Sequence, residues 1–434
     1  MSESHSSRSL ILGVCLSLGN AAALVLVATM LLGVNAQAQC LSVSSYGGSP
    51  GATPDVNAAA LTNAFGALSS SGGCIQFQSG TYAFNPVSLS YPSSAAFSLT
   101  VEGTGPDSTI LDFGTNSSGI TINTSSAVQT VHIRDLTLAT ALAGGATGLT
   151  LNNPYGSQTG AILPSDITNV DFRGDDASTN LSSWGEFWNA AVDVEGQSNI
   201  NFDTDMFLGP DVPGGGGWGI NLNTPSTDSN VNGPVDGIVY NISKCVFDAT
   251  GNGLIIGANV EGVTVTQSNF TNGTTGIYAE AGVGSQNSTQ LSVTGGNQFE
   301  MADPGTAISV QQPLSALIVS GNLFIIRGDN AGIFTNAVSE DQTTIVNNTF
   351  WQVGDSSSQP DIGQGVGINI QPSSNSPGNI TGVITGNTFD NLGDGVYLNS
   401  NTTKWNVQAN IYNSGVTTPV LNQGSGNAVG VATE

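Results

Sequence analysis

Hydrophobic residues in this chain come in short bursts, and the bursts recur. A large aromatic stands two positions after a polar or small residue in "KCVF" ending at Phe247, "QSNF" at Phe270, "GNQF" at Phe299 and "GNLF" at Phe324. The series continues with "NNTF" at Phe350, "GNTF" at Phe389 and "ANIY" at Tyr412, and weaker members stand upstream at Phe207, Phe172 and Leu138. Successive spacings from Phe247 are 23, 29, 25, 26, 39 and 23 residues. Each unit carries a second segment in which Gly or Ala precedes apolar-x-apolar. Examples are "GLIIG" from Gly253, "GIYAE" from Gly276, "AISVQ" from Ala307, "GIFTN" from Gly332, "GINIQ" from Gly367 and "GVYLN" from Gly395. Alternation of period two in short segments bounded by Gly and Asn predicts strands. Units of about 22–30 residues with several short strands predict coils of a parallel β-solenoid, which bury their apolar faces by stacking. In that register Asn297, Asn322, Asn348, Asn387 and Asn410 form a column at one turn, where stacked amides can satisfy one another.

Near the N-terminus the period changes. Asp55 reads as a helix N-cap, and Val56, Ala60, Leu61, Ala64, Phe65 and Leu68 recur at helical spacing up to Gly72-Gly73. A helix there would cover the open edge of the first coil. This divides the chain into a capping module over residues 39–110, a solenoid over 111–415 and a tail or second cap over 416–434.

Composition narrows the partners. Six Lys plus Arg face 31 Asp plus Glu, a net charge of −25. Such a surface repels phosphate backbones and anionic headgroups, so nucleic acid is not an expected partner. It repels a polyanionic polysaccharide as well unless Ca²⁺ bridges the two. Residues 10–33 are apolar or small, and Ala36-Gln37-Ala38 has the small-x-small pattern of an export cleavage site. Residues 1–38 are therefore read as a signal peptide, and the protein as secreted or displayed at the cell surface. An uncleaved segment would be its one link to a membrane. Export permits disulfides. Cys40 and Cys74 share the N-terminal module and are the expected pair, while Cys245 reads as a small buried hydrophobe.

With these residues in view, the chain resembles the right-handed parallel β-helix proteins of the pectate-lyase-like superfamily. Asp55-Val56-Asn57-Ala58 and the run from Gly72 through Phe77 to Tyr82 resemble the rhamnogalacturonase-type N-terminal module of that group. The resemblance implies an all-β, right-handed parallel β-helix with an N-terminal capping helix. It also implies a polysaccharide partner, handled by hydrolysis, by elimination or by adhesion alone. The polygalacturonase-like branch requires a His-Gly and an Arg-x-Lys. His132 is not followed by Gly, and no Arg-x-Lys occurs. A lyase requires a basic residue as proton acceptor and often Ca²⁺. Arg173 beside Asp171, Asp175 and Asp176 is the matching cluster, with the three acids as metal ligands. A hydrolase of this kind implies no cofactor.

The second segments also predict a groove. If the residue after Gly or Ala points inward, one outward column runs Asp193, Asn221, Ile255, Tyr278, Ser309, Phe334, Asn369, Tyr397. The next runs Glu195, Asn223, Gly257, Glu280, Gln311, Asn336, Gln371, Asn399. Amides and carboxylates bind sugar hydroxyls, and aromatic faces stack on sugar C–H surfaces, so this strip suits a neutral glycan. Asp193 and Glu195, two residues apart on one strand face, are candidates for acid and base or nucleophile across a glycosidic bond. Asp203 and Asp205 come next. Trp184, Trp188 and Trp218, three of the five tryptophans, flank this strand and its neighbour and are expected as sugar platforms.

Overall fold

The computed structural model describes residues 40–430, apart from 93–94, 117, 127, 154–162, 179–183, 213, 225–236, 258–259, 281–289, 312–313, 337–341, 355–362 and 373–380. The predicted export signal lies outside the described residues. Among these, no helix is long and apolar enough to cross a membrane.

The chain winds as a solenoid whose typical coil has three short strands. Gln290–Thr294, Gln298–Glu300 and Thr306–Val310 make up one such coil. Each strand pairs in parallel with its counterparts in the coils before and after. The third strands form a 12-stranded sheet from Val87–Ser90 to Thr418–Asn422. The first and second strands form two faces, joined where Gln129–Thr140 and Ser165–Gly174 bend from one to the other. Stacking already begins where Leu41–Ser42 pairs with Gly72–Gln76 and extends to Ala428–Val429.

The recurring motif "G/N-N-x-F" encodes the corner between the first two strands. Its first position takes a left-handed backbone: Lys244, Gln267, Gly296, Gly321, Asn347, Gly386 and Ala409 all have φ between 51° and 90°. One such residue turns the chain sharply, and Gly and Asn bear that conformation at least cost. The second position is the predicted amide column. Asn297 Nδ2 donates to Asn322 Oδ1 at 2.8 Å, and Asn322, Asn348 and Asn387 each donate to the next Asn at 3.0 Å. Each of these amides also donates to a carbonyl of the coil before, such as Val265 O. These side chains are buried, so full hydrogen bonding is what makes the column affordable in an apolar core.

The aromatic position turns inward. Rings from Phe172 to Tyr412 stack with centroids 4.5–5.3 Å apart and planes within 11° of parallel. Isolated rings favour offset or edge-on pairs. The strand repeat of about 4.8 Å imposes face-to-face stacking here instead. In the first coils the aromatics are not in one column and pack tilted or edge-on, from 34° for Phe65 against Tyr91 to 82° for Phe77 against Tyr82.

The helix spans Pro54–Gly66, and Ala60, Leu61 and Ala64 seal the first coil. Two details differ from the expectation. Thr53, not Asp55, holds the N-cap position, because Pro54 takes the first helical site. Val56 faces solvent, and Asn57 is buried in its place, accepting the Ser49 N–H and donating to Ala83 O. Cys40 and Cys74 form a disulfide, and Cys245 is free and buried.

Candidate functional site

The 12-stranded sheet carries both predicted columns. Asp193 pairs with Asn221, Asn221 with Ile255, and the register continues through Tyr278, Ser309, Phe334 and Asn369 to Tyr397. Upstream, Thr150 and Thr121 extend it. Glu195 lies between Asn152 and Asn223, and main-chain bonds carry that second column through Gly257, Glu280, Gln311, Asn336, Gln371 and Asn399. Val192, Val194, Ile220 and Leu222 alternate with these residues and are fully buried. Asp193 and Glu195 therefore stand on the outer face. Tyr278, Phe334 and Tyr397 are half-buried there, Glu280 and Asn223 are exposed, and Ile255 and Ser309 are covered.

Asn221 Nδ2 donates to Asp193 Oδ1 at 2.9 Å. Burial, and then the charge of Glu195, raise the Asp193 carboxyl above the usual carboxylate range, while the Asn221 bond pulls it back. Backbone sites two apart on a strand are about 6.5–7 Å apart, compatible with two carboxyls flanking a glycosidic oxygen. The polar surface continues upstream as a side-chain ladder. Asn152 Nδ2 donates to Asn123 Oδ1 and Asn123 Nδ2 to Ser88 Oγ, both at 3.1 Å.

The remaining candidates separate. Trp188 is not a platform: it is 3% exposed, its Nε1 donates to Leu138 O, and its ring meets Phe113 edge-on. Trp184 is half-buried and donates from Nε1 to Gly209 O at 2.6 Å. Trp218 is half-buried, and its enclosed Nε1 meets no acceptor among the described residues. Asp203 ends a strand of the first face, away from Asp193. The Ser243 hydroxyl, and then Lys244 at 3.1 Å, hold its carboxyl below the usual range. Asp205 is 1% exposed and belongs to the buried turn column, so it cannot meet a polymer.

The cluster around Arg173 does not assemble as a metal-and-base site. Arg173 is buried, with Nη2 donating to Asp107 Oδ1 at 2.8 Å and Nη1 to Gly174 O. Burial, and then the charge of Asp107, push Asp171 up to about 6 against the pull of Arg173. Asp176 instead accepts the Gly185 N–H at 2.8 Å, and Glu186 accepts the Asp176 N–H at 3.0 Å. Among the described residues, the one trio of His, Cys, Asp or Glu ligand atoms within 4.8 Å of one another is Cys40, Cys74 and Glu102, and its cysteines are joined in the disulfide.

One constellation escaped the sequence reading. On the first face Asp166 contacts His132 Nδ1, His132 Nε2 meets Thr130 Oγ1 at 3.1 Å, and Thr130 Oγ1 meets Ser98 Oγ at 2.9 Å. The order carboxylate, imidazole, hydroxyl is that of a nucleophilic relay. Thr130 is only 5% exposed, and the Val131 N–H beside it is already taken by Ser165 Oγ at 3.1 Å. Thr130 and His132 lie two apart on one strand, but Asp166 and Ser98 join them only through strand pairing, so neighbouring positions in sequence gave no sign of the group.

No family model and no curated protein matches the sequence. Solved structures do. Full-length tailspike protein 2 of an Escherichia coli O157:H7 bacteriophage is 13% identical, covering 81% of this chain and 43% of its own, with a TM-score of 0.50. The fold is a right-handed parallel β-helix. The A-module of the Azotobacter vinelandii mannuronan C-5 epimerase AlgE4 is 15% identical to this β-helix, covering 90% of this chain and 100% of its own at a TM-score of 0.49. PfbA, a surface adhesin of Streptococcus pneumoniae, is 11% identical, with coverages of 89% and 93% and a TM-score of 0.44.

Proposed function

We propose that this protein is exported, binds an extracellular polysaccharide along the outer face of the 12-stranded sheet, and hydrolyses it between Asp193 and Glu195. The supporting observation is the placement of these two carboxyls, side by side on the outer columns among Asn221, Asn223 and Asn152. Asp193, its carboxyl raised by burial, is the general acid; Glu195 is the base or nucleophile. A Ca²⁺-assisted lyase centred on Arg173 is less favoured, because that guanidinium is buried against Asp107. A binding-only adhesin is the second reading, favoured by the engagement of Asp193 with Asn221.

The test is product release by the chain from Gln39 onward on neutral and uronic polysaccharides, with and without Ca²⁺. New reducing ends without ultraviolet absorbance indicate hydrolysis. Asp193→Asn and Glu195→Gln should then each lower turnover by about 10²–10⁴-fold while binding persists. Activity should fall as pH rises through the Asp193 pKa. Asn221→Ala removes the bond that lowers that pKa, so this alkaline limb should move to higher pH. Absorbance from an unsaturated uronate would replace hydrolysis with elimination, and binding without products would leave the adhesin.

A further inference from the structure

A concave site lies at the corner between the second and third faces, away from the strip through Asp193 and Glu195. The segment after Leu208 folds back over the stack: Gly214 bridges Gly273, and Thr274 Oγ1 donates to Gly214 O at 2.9 Å. Beneath this overhang is a cavity of about 380 Å³, lined by Asp211, Val212, Asn272, Ala302, Asp303 and Arg327, with Ala249 at its floor. That volume is within the usual range for small-ligand sites, about 300–1,000 Å³. Its chemistry is mixed in a specific way. Asp211 and Asp303 offer exposed carboxylate acceptors, and Asn272 and Arg327 carry donors. Val212, 51% exposed, gives the cavity an apolar wall. The Arg327 guanidinium is already paired with Glu300, so two further carboxylates leave the cavity negative.

We propose that this corner is a second carbohydrate site, which takes a neutral hexose unit. Interleaved acceptors and donors match hydroxyl groups, which both give and receive hydrogen bonds. The Val212 wall suits the C–H face of a pyranose ring. Uronates and phosphates are disfavoured by Asp211 and Asp303 and by a net charge of −25. The lining residues belong to the overhang and to ends of second-face strands, so the site does not depend on Asp193 or Glu195.

The test is calorimetric titration with gluco-, manno-, galacto- and xylo-hexasaccharides and with hexagalacturonate. Three chains are compared: the parent, Asp193→Asn/Glu195→Gln, and Asp211→Ala/Val212→Asp. Asp211 and Val212 are exposed, so the last variant should keep its fold, checked by circular dichroism. The expected result is a neutral hexasaccharide that binds parent and Asp193→Asn/Glu195→Gln alike and loses at least tenfold in affinity in Asp211→Ala/Val212→Asp. Equal affinity in all three chains, no binding by any neutral hexasaccharide, or a preference for hexagalacturonate would each overturn the proposal. Loss of binding in Asp193→Asn/Glu195→Gln alone would also reject the second site.

Discussion

At the scale of single residues, Asp205 shows how one atom decides a role. It occupies the turn column: its Oδ1 accepts the Val170 N–H at 2.9 Å, as Asn322 Oδ1 accepts the Asn297 N–H. Where an asparagine would place an amide to donate onward, Asp205 has Oδ2, which is buried without a partner. Burial above all, with the charges of Asp203 and Asp171 adding, holds this carboxyl well above the usual range. A folded-state pKa above the unfolded one means that the native chain binds more protons, so stability falls as pH rises above about 4. Asp205→Asn supplies the missing donor and removes that pH dependence. It should stabilise by about 1–3 kcal/mol at pH 7 and by progressively less toward pH 4. Melting temperatures of both chains across that range check it; a lower melting point for Asp205→Asn at pH 7 would refute the ladder assignment. The sequence could not reveal this position, because the coils around it place Leu136, Val170, Cys245 and Ser268 in the same column, and a column of mixed residues has no repeat signature.

At the scale of the element, the Gly that opens most second segments (Ala307 takes its place in one) and the aromatic of the following first segment are one constraint. A Cβ on Gly253, Gly276, Gly332, Gly367 or Gly395 would stand 2.6–2.8 Å from the aromatic ring of the following coil. Gly367→Ala, 2.6 Å from Phe389 and 2.7 Å from Gly395 O, should therefore cost about 1–3 kcal/mol by overpacking. The corner makes the opposite prediction. Thr204 holds φ at 60°, which a β-branched residue adopts only under strain. Thr204→Gly should raise stability by about 0.5–1 kcal/mol. Denaturant titrations of the two variants check both signs, and destabilisation by Thr204→Gly would show that its strain is offset elsewhere. The same coupling explains what was legible. Period-two alternation anchored on Gly fixes which residues face out, so the columns through Asp193 and Glu195 could be written from the sequence. Trp188 could not be placed, because it lies upstream of that alternation, where a tryptophan reads the same turned in or out. The cavity beside Asp211 depends on a fold-back that has no periodicity at all.

At the scale of the whole molecule, the β-helix is a one-dimensional stack in which a coil meets chiefly its two neighbours. Stability should then be a chain of local terms, and damage should stay where it is made. The disulfide offers a clean trial, because it acts at one end. Cys40 and Cys74 are 34 positions apart and tie Leu41–Ser42 alongside Gly72–Gln76, under the capping helix. Closing a loop of that length restricts the unfolded chain by about 3–4 kcal/mol in the entropic account. In a globule with one shared core, losing that amount would lower protection everywhere. Here the prediction for Cys40→Ser/Cys74→Ser differs: hydrogen exchange should accelerate in Pro54–Gly66 and Gly72–Gln76. Strands from Gln290–Thr294 onward should keep the protection of the parent chain, because the Phe stack and amide column between Asn297 and Asn410 close on themselves. Uniform loss of protection along the chain would mean that the coils unfold as one unit, and that the capping helix guards the whole stack rather than its first turn. A graded loss that decays over successive coils would instead measure how far each interface transmits the disturbance, coil by coil, toward the strand that carries Asp193 and Glu195.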